Sequence, residues 1–170
     1  MSNKDSEAPS IHQFTMKDID GKEVSLKDYE GKVLLIVNTA SKCGFTPQLD
    51  DMAELYREFR EDGFEILAFP SNDFGAQEPL EGAEIKQFCM TKYNAAYPIF
   101  EKIHVKGKGT HELFQFLSDK KQNGKAATKP KWNFHKYLVD KNGRPVEFFF
   151  PITKPTARSV KRSIRKLLAE

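Results

Sequence analysis

Two sulfur atoms are the groups in this chain best suited to redox chemistry. Cys43 and Cys89 are its only cysteines and stand 46 positions apart. Cys43 lies in VLLIVNTASKCGFTPQ, residues 33–48, where a continuous apolar run stops and helical spacing begins. A thiol in that place can serve as a nucleophile. An unperturbed thiol is only about 3% thiolate at pH 7, but helix N-terminal amides and the positive end of the helix dipole favour the anion. The competing assignment is a small buried hydrophobe, because free cysteine is among the most buried residue types. The flanks TASK and GFTP are small, polar and turn-like, unlike a strand interior. Thr46 occupies the position where a C-x-x-C motif needs its second sulfur, so a vicinal disulfide is excluded.

The elements that must position Cys43 follow from periodicity. KVLLIVNT is the continuous apolar run of a strand buried on both faces. Residues 48–62 show helical spacing through Leu49, Met52, Leu55, Tyr56 and Phe59, and Gly63 stands where a helix-ending glycine belongs. FEILAFP is a second buried strand, which makes residues 33–70 a strand–helix–strand crossover. Cys43 therefore falls at a strand's carboxyl end beside a helix start, the place where α/β folds carry reactive groups.

Around this unit, IHQFTMKDIDGKEVSLKDY reads as a hairpin turning at Asp20-Gly21. A second helix is expected over about 81–93, with Ile85, Phe88, Cys89 and Tyr93 on one face. GTHELFQFLSDKK gives a third helix through Leu113, Phe116 and Leu117, and KQNGKAATKPK an irregular connection. NFHKYLVDKNGRPVEFFFP is a hairpin turning at Asn142-Gly143. A last helix places Val160, Ile164, Leu167 and Leu168 on one stripe. Its other residues include Arg158, Lys161, Arg162, Arg165 and Lys166, a basic face expected to be solvated, with weak membrane-surface contact as the alternative.

The expected organisation is a flexible N-terminal segment over 1–10 and one α/β domain over 11–170. A chain of 170 residues suits one sizeable core. A net charge of +3 is too small to imply nucleic acid. No apolar run approaches the roughly 18 residues of a membrane span, and MSNKDSEAPS does not read as a secretory signal. Two cysteines do not make a disulfide scaffold, so a reducing, cytoplasmic setting is expected, where a disulfide would be transient and catalytic. Neither cofactor nor metal is expected.

Three segments resemble the glutathione peroxidase family. NTASKCGFTPQ is similar to the family's nucleophile segment, with Cys43 at the place of its cysteine or selenocysteine. LAFPSNDFGAQEP is similar to the second motif and supplies Gln77. KWNFHKYLVDKNG is similar to the third and supplies Trp132 and Asn133. The resemblance runs from about Phe14 to the last helix. It implies a thioredoxin-like fold, a central mixed sheet flanked by helices with an added N-terminal β-hairpin. It also implies a thiol peroxidase that reduces hydrogen peroxide and organic or lipid hydroperoxides through a Cys43 sulfenic acid. Gln77 and Asn133 bring neutral amide donors and Trp132 an indole N–H, which can stabilise sulfur charge and an anionic leaving oxygen without adding a titrating group.

Several residues depart from the family pattern. Ser71 replaces a common cysteine, Asp73 a common glutamine, Ala76 a common glycine and Leu80 another glycine. An inward carboxylate at Asp73 would oppose a Cys43 thiolate, so Asp73 is expected to face solvent. EIKQFCMTKYNAAYPIF resembles the resolving-cysteine helix of thioredoxin-dependent members, which implies that Cys89 resolves oxidised Cys43 and that a thioredoxin-like protein is the reductant. Glutathione serving a one-cysteine cycle is the alternative, and a peroxide sensor relaying oxidation to a partner protein, or a binding module with a decayed site, are others. The similarity is to short members of the family, which implies a monomer in oxidative-stress defence. A peroxiredoxin is disfavoured, because its threonine precedes the cysteine by three residues, whereas Thr39 precedes Cys43 by four.

Overall fold

The computed structural model describes residues 9–125 and 128–170. Apart from Pro9 and Ser10, the expected flexible segment 1–10 lies outside these residues. Ser10 caps a single 3-10 turn over Ile11–Gln13, its hydroxyl accepting the His12 amide at 3.2 Å. The first hairpin pairs β1 (Thr15–Lys17) with β2 (Glu23–Ser25), Thr15 opposite Ser25. Asp18 closes its turn by accepting the amides of Asp20 and Lys22, both at 2.9 Å.

The crossover predicted for 33–70 is present. Strand β3 (Val33–Thr39) is buried at every position, α1 (Gln48–Phe59) follows, and β4 (Phe64–Pro70) pairs with β3 in parallel, Val33 opposite Phe64. Asp50 and Asp51 occupy the first turn of α1, where negative charge suits the dipole. The chain leaves that helix through a 3-10 turn at Arg60–Asp62, and Gly63 takes a positive φ of 96°.

Next come α2 (Gly82–Tyr93), α3 (Glu112–Ser118) and a short α4 (Lys120–Asn123). The helix expected to continue to about residue 121 breaks at Asp119. That residue is extended, and its carboxylate accepts the Lys121 amide at 2.9 Å, so it ends one helix and caps the next. The segment expected to be irregular from Lys121 therefore begins as helix.

Strands β5 (Lys136–Val139) and β6 (Pro145–Phe149) form the second hairpin, and α5 (Arg158–Leu168) closes the chain. Strand β5 begins only at Lys136 because Phe134 has a φ of +69°, which no strand accommodates.

The sheet order is β4-β3-β5-β6, with β5 antiparallel to both neighbours. Alternate side chains of β3 feed two cores. Val33, Leu35 and Val37 pack with α1, α2 and α5, whereas Leu34 and Ile36 pack with α3 and the N-terminal hairpin. Each fully buried Leu, Ile or Phe contributes about 1.5–3 kcal/mol, so both faces hold their helices firmly. Helix α2 is held less well. Only Ile85 and Cys89 are buried on it, while Phe88 and Tyr93 are half-buried and pack at a tilt with ring centroids 5.7 Å apart.

The basic face of α5 is partly engaged. Lys161 and Arg165 approach Glu58 of α1 at 3.1 and 3.9 Å, and Arg165 lies over the Phe59 ring. None of the described helices is long and apolar enough to cross a membrane.

Candidate active site

Cys43 sits in the turn between β3 and α1, as its flanks predicted. It is 8% exposed and belongs to the core on the α1 side. Thr46 builds the turn. Its hydroxyl accepts the Cys43 amide at 2.8 Å and donates to the Ala40 carbonyl at 2.9 Å, while its own amide donates to the Cys43 carbonyl at 3.0 Å. The residue that excludes a second sulfur is thus what holds the first one. The Phe45 amide donates to Cys43 Sγ at 3.3 Å, a bond that strengthens when sulfur carries charge.

The second motif closes against this turn. The Lys42 amide donates to the Gln77 carbonyl at 2.9 Å, and Ser41 Oγ donates to the buried Glu78 carboxylate at 2.5 Å. Burial raises the Glu78 pKa, and the Ser41 bond and nearby Lys102 oppose that rise. Glu78 is 1% exposed and bonded to Ser41, so it serves as an anchor for the Cys43 turn. Lys102 also donates to the Glu78 carbonyl at 2.8 Å and to Glu81 at 2.7 Å, fixing the chain that leads into α2.

The third motif meets the second through side chains. Asn133 Nδ2 donates to Gln77 Oε1 at 3.0 Å, which spends the Gln77 acceptor and leaves its NH2 group to donate. Trp132 is half-buried at the seam between the two cores and tilts over Phe74, centroids 5.4 Å apart. Gly75 explains the close approach. With a φ of +66°, a Cβ there would lie 3.1 Å from Trp132 and 3.5 Å from the Gln77 side chain. The indole and the Gln77 carboxamide therefore flank one glycine.

Asn38 on β3 supports the same segment. Its side chain donates to the Trp132 carbonyl at 3.0 Å, and the Phe134 amide donates to the Asn38 carbonyl at 2.6 Å.

Asp73 does not face solvent as expected. Its carboxylate accepts the amides of Val105 and Lys106 at 2.7 and 3.3 Å and lies 2.8 Å from His104 Nδ1. Burial pulls its pKa upward, but the bonds from His104, Val105 and Lys106 outweigh burial and lower it. Its charge is thus spent on a neighbouring loop. Ser71, another departure, is buried, and its amide donates to the Thr39 carbonyl at 3.0 Å.

Both thiols are free, and Cys89 is 5% exposed on α2. Burial, and secondarily the nearby Glu78 carboxylate, pushes its pKa up to about 12. Helix α2 ends just beyond it. Asn94 adopts the left-handed conformation, and the Ala95 amide returns to the Cys89 carbonyl at 3.1 Å. A cavity of about 680 Å3 lies beside the loop that binds Asp73, lined by Val105, Lys106, Phe114 and Lys129 among others, and neither sulfur nor Gln77, Trp132 or Asn133 lines it.

Asn38, Ser41, Thr46 and Glu78 lie within the motif segments but carry no expected site role, though a serine and a threonine flanking Cys43 at two and three residues held the hint. Comparison with known proteins gives the family. A glutathione peroxidase family profile matches residues 11–118. Glutathione peroxidase homolog BsaA of Halalkalibacterium halodurans is 47% identical over 94% of this chain and 99% of its own length. Hydroperoxy fatty acid reductase gpx1 of Synechocystis is 47% identical over 94% and 96%. The crystal structure of T. cruzi GPX1 superposes with a TM-score of 0.74 at 32% identity, covering 94% of this chain and 97% of that one. A thioredoxin-family thiol:disulfide interchange protein from Chlorobium tepidum, 18% identical with a TM-score of 0.65 over 95% and 94%, shares the fold. A thioredoxin-like sheet with an added hairpin, three motifs in order and relatives matching nearly end to end have one explanation: the chain belongs to the glutathione peroxidase family and is a thiol-dependent peroxidase.

Proposed function

We propose that Cys43 is the sulfur that meets the peroxide, with Gln77, Trp132 and Asn133 as its donor set. The Cys43 thiolate attacks the O–O bond of a hydroperoxide. Sulfur keeps one oxygen as a sulfenic acid, and the other leaves as water or an alcohol after taking up a proton. The observation that carries this assignment is the Phe45 amide on Cys43 Sγ, in a turn bonded through Lys42 to Gln77. Fixed N–H groups of this kind stabilise sulfur charge and a departing oxyanion without titrating themselves.

Cys89 is assigned as the resolving thiol. It attacks the Cys43 sulfenic acid, a disulfide forms and water leaves; a thioredoxin-like dithiol then reduces the disulfide. Two buried residues hold α2 to the core, so local unwinding is the step that delivers Cys89. Unwinding hydrates the thiol and brings its pKa from about 12 toward the ordinary 9.0, which raises the thiolate fraction about a thousandfold.

Among substrates we favour bulky apolar hydroperoxides. Phe150 and Ile152 are exposed on either side of Pro151, and the Pro151 carbonyl accepts Gln48 Nε2 at 2.7 Å, five residues from Cys43. Relatives named for phospholipid hydroperoxides and hydroperoxy fatty acids agree with that chemistry. We assign the protein as a cytoplasmic monomer of one domain, with Arg158, Arg162 and Lys166 left exposed for weak contact with anionic surfaces.

Intact mass after one equivalent of hydrogen peroxide tests the cycle. Loss of two hydrogens is expected and means an internal disulfide. Gain of one oxygen transfers the second step to an external thiol such as glutathione, and an unchanged mass removes Cys43 from its role.

A further inference from the structure

Lys136 is a lysine where the fold should have none. It is fully buried in β5, opposite Val37 and Phe149, and faces the core that contains Cys43. Its ammonium donates to three backbone carbonyls: Phe134 at 2.6 Å, Pro151 at 3.3 Å and Phe150 at 3.4 Å. Among the described residues no carboxylate is bonded to it. Burying an amine without a bonded counter-ion is costly, and methionine would fill similar space at less cost. The three carbonyls therefore point to a positional role.

Two of those acceptors lie on the path that surrounds the site. Gln48, in the first turn after Cys43, donates to the Pro151 carbonyl. Lys136 bonds that same carbonyl and, from it, reaches Phe134. Phe134 follows Asn133 and holds the left-handed conformation at φ +69°, a strained state for a non-glycine residue. Asn133 bonds Gln77, and the Gln77 carbonyl accepts the Lys42 amide, one residue before Cys43. The hydrogen bonds form a closed circuit that leaves Cys43 through Gln48 and returns through Lys42.

We propose that Lys136 is a positioning residue of the peroxidatic site: its charge-assisted bonds hold the Phe134 kink and the Pro151 loop together, and so keep Asn133 on Gln77 beside the Cys43 turn. This rests on Cys43 and Asn133 acting as proposed above. The short bond from Lys136 to the Phe134 carbonyl offsets the strain at the kink. The charged or titratable groups acting on the amine are Asp51 on α1 and His135, which precedes β5 and packs on Tyr137 on the opposite face; Lys154, after β6, acts on Asp51. Burial lowers the Lys136 pKa to about 7 against the opposing pull of Asp51, so its charge is lost as pH rises through that value.

The test is the second-order rate of Cys43 oxidation by hydrogen peroxide, followed by fluorescence of Trp132, the chain's single tryptophan. Lys136→Met is expected to slow it about 10- to 100-fold at pH 6, the size of effect that a misplacement near 1 Å produces. The ratio of wild type to variant should shrink toward a few-fold above pH 9, where wild type has lost the charge as well. A ratio that does not change with pH, or a variant within twofold of wild type at pH 6, overturns the proposal. Gln48→Leu opens the same circuit at its other bond to Pro151 and is expected to slow oxidation at least about threefold. A Gln48→Leu rate within twofold of wild type overturns the proposal whether or not Lys136→Met folds. Slow oxidation of wild type itself would instead count against Cys43.

Discussion

Asn133 donates its side-chain amide to the Gln77 side-chain carbonyl at 3.0 Å, across 56 residues of sequence. The two carboxamides are therefore oriented as a pair, and rotating one reverses the other. Because Asn133 is also bonded at 3.4 Å to the Phe74 carbonyl, its donor end is fixed by two acceptors on the loop that carries Gln77. Among the described residues, the pairing engages the Gln77 oxygen and leaves its NH2 group to donate.

Asn133→Asp tests the pairing. A carboxylate can only accept, so it draws the Gln77 NH2 toward itself and places a negative charge among groups that must stabilise one. Oxidation of Cys43 by hydrogen peroxide should slow by about 10²–10³, the loss typical of removing one aimed donor from an anion site. Rapid-mixing measurements on the folded variant check this, and a rate near that of wild type would free Asn133 from its assigned part.

Gly75→Ala tests the approach of the indole. Alanine at φ +66° is strained, and its Cβ would lie 3.1 and 3.3 Å from two ring carbons of Trp132, closer than such contacts normally sit. The ring cannot yield without disturbing Phe74 beneath it. The substitution should cost about 1–2 kcal/mol of stability, measured by denaturant unfolding, and should change the emission of Trp132.

Asp73 predicts an acid-sensitive loop. Its folded pKa is lowered by the bonds from His104, Val105 and Lys106, so its contribution is fully present above the unfolded value of 3.8 and is lost as pH falls through the folded one. Asp73→Asn should therefore destabilise the protein by about 1–3 kcal/mol at pH 7. That difference should disappear in unfolding curves taken below the folded pKa. The catalytic rate should change little at neutral pH, since the carboxylate faces the 104–106 loop.

The crossover that carries Cys43 could be read from sequence because its signals are local: an unbroken apolar strand, one helical stripe, and a glycine at the exit. The Cys43 turn was legible as a turn for the same reason. What could not be read were pairings between distant polar groups, such as Ser41 with Glu78 or Asn38 with the Trp132 carbonyl, since nothing near Glu78 announces its partner. Lys136 did leave a trace: a lysine within the apolar strand KYLV, on a hairpin arm otherwise rich in aromatics. Asp73 was placed wrongly because its three donors come from residues 104–106, thirty positions downstream.

Cys89→Ser separates the two halves of the cycle. Serine differs from cysteine by one atom, Ile85 still anchors α2, and the Cys43 turn, bonded to Gln77 and Glu78, is untouched. The first oxidation should keep its wild-type rate within about twofold, whereas steady turnover with thioredoxin, its reductase and NADPH should fall to background. In wild type, disulfide formation should be slower than the first oxidation, because the thiol at a pKa of about 12 is protonated until α2 opens. Mild denaturant that loosens α2 should therefore accelerate disulfide formation while leaving the first step unchanged. Undiminished thioredoxin-supported turnover in Cys89→Ser would assign the second step to a thiol outside the chain.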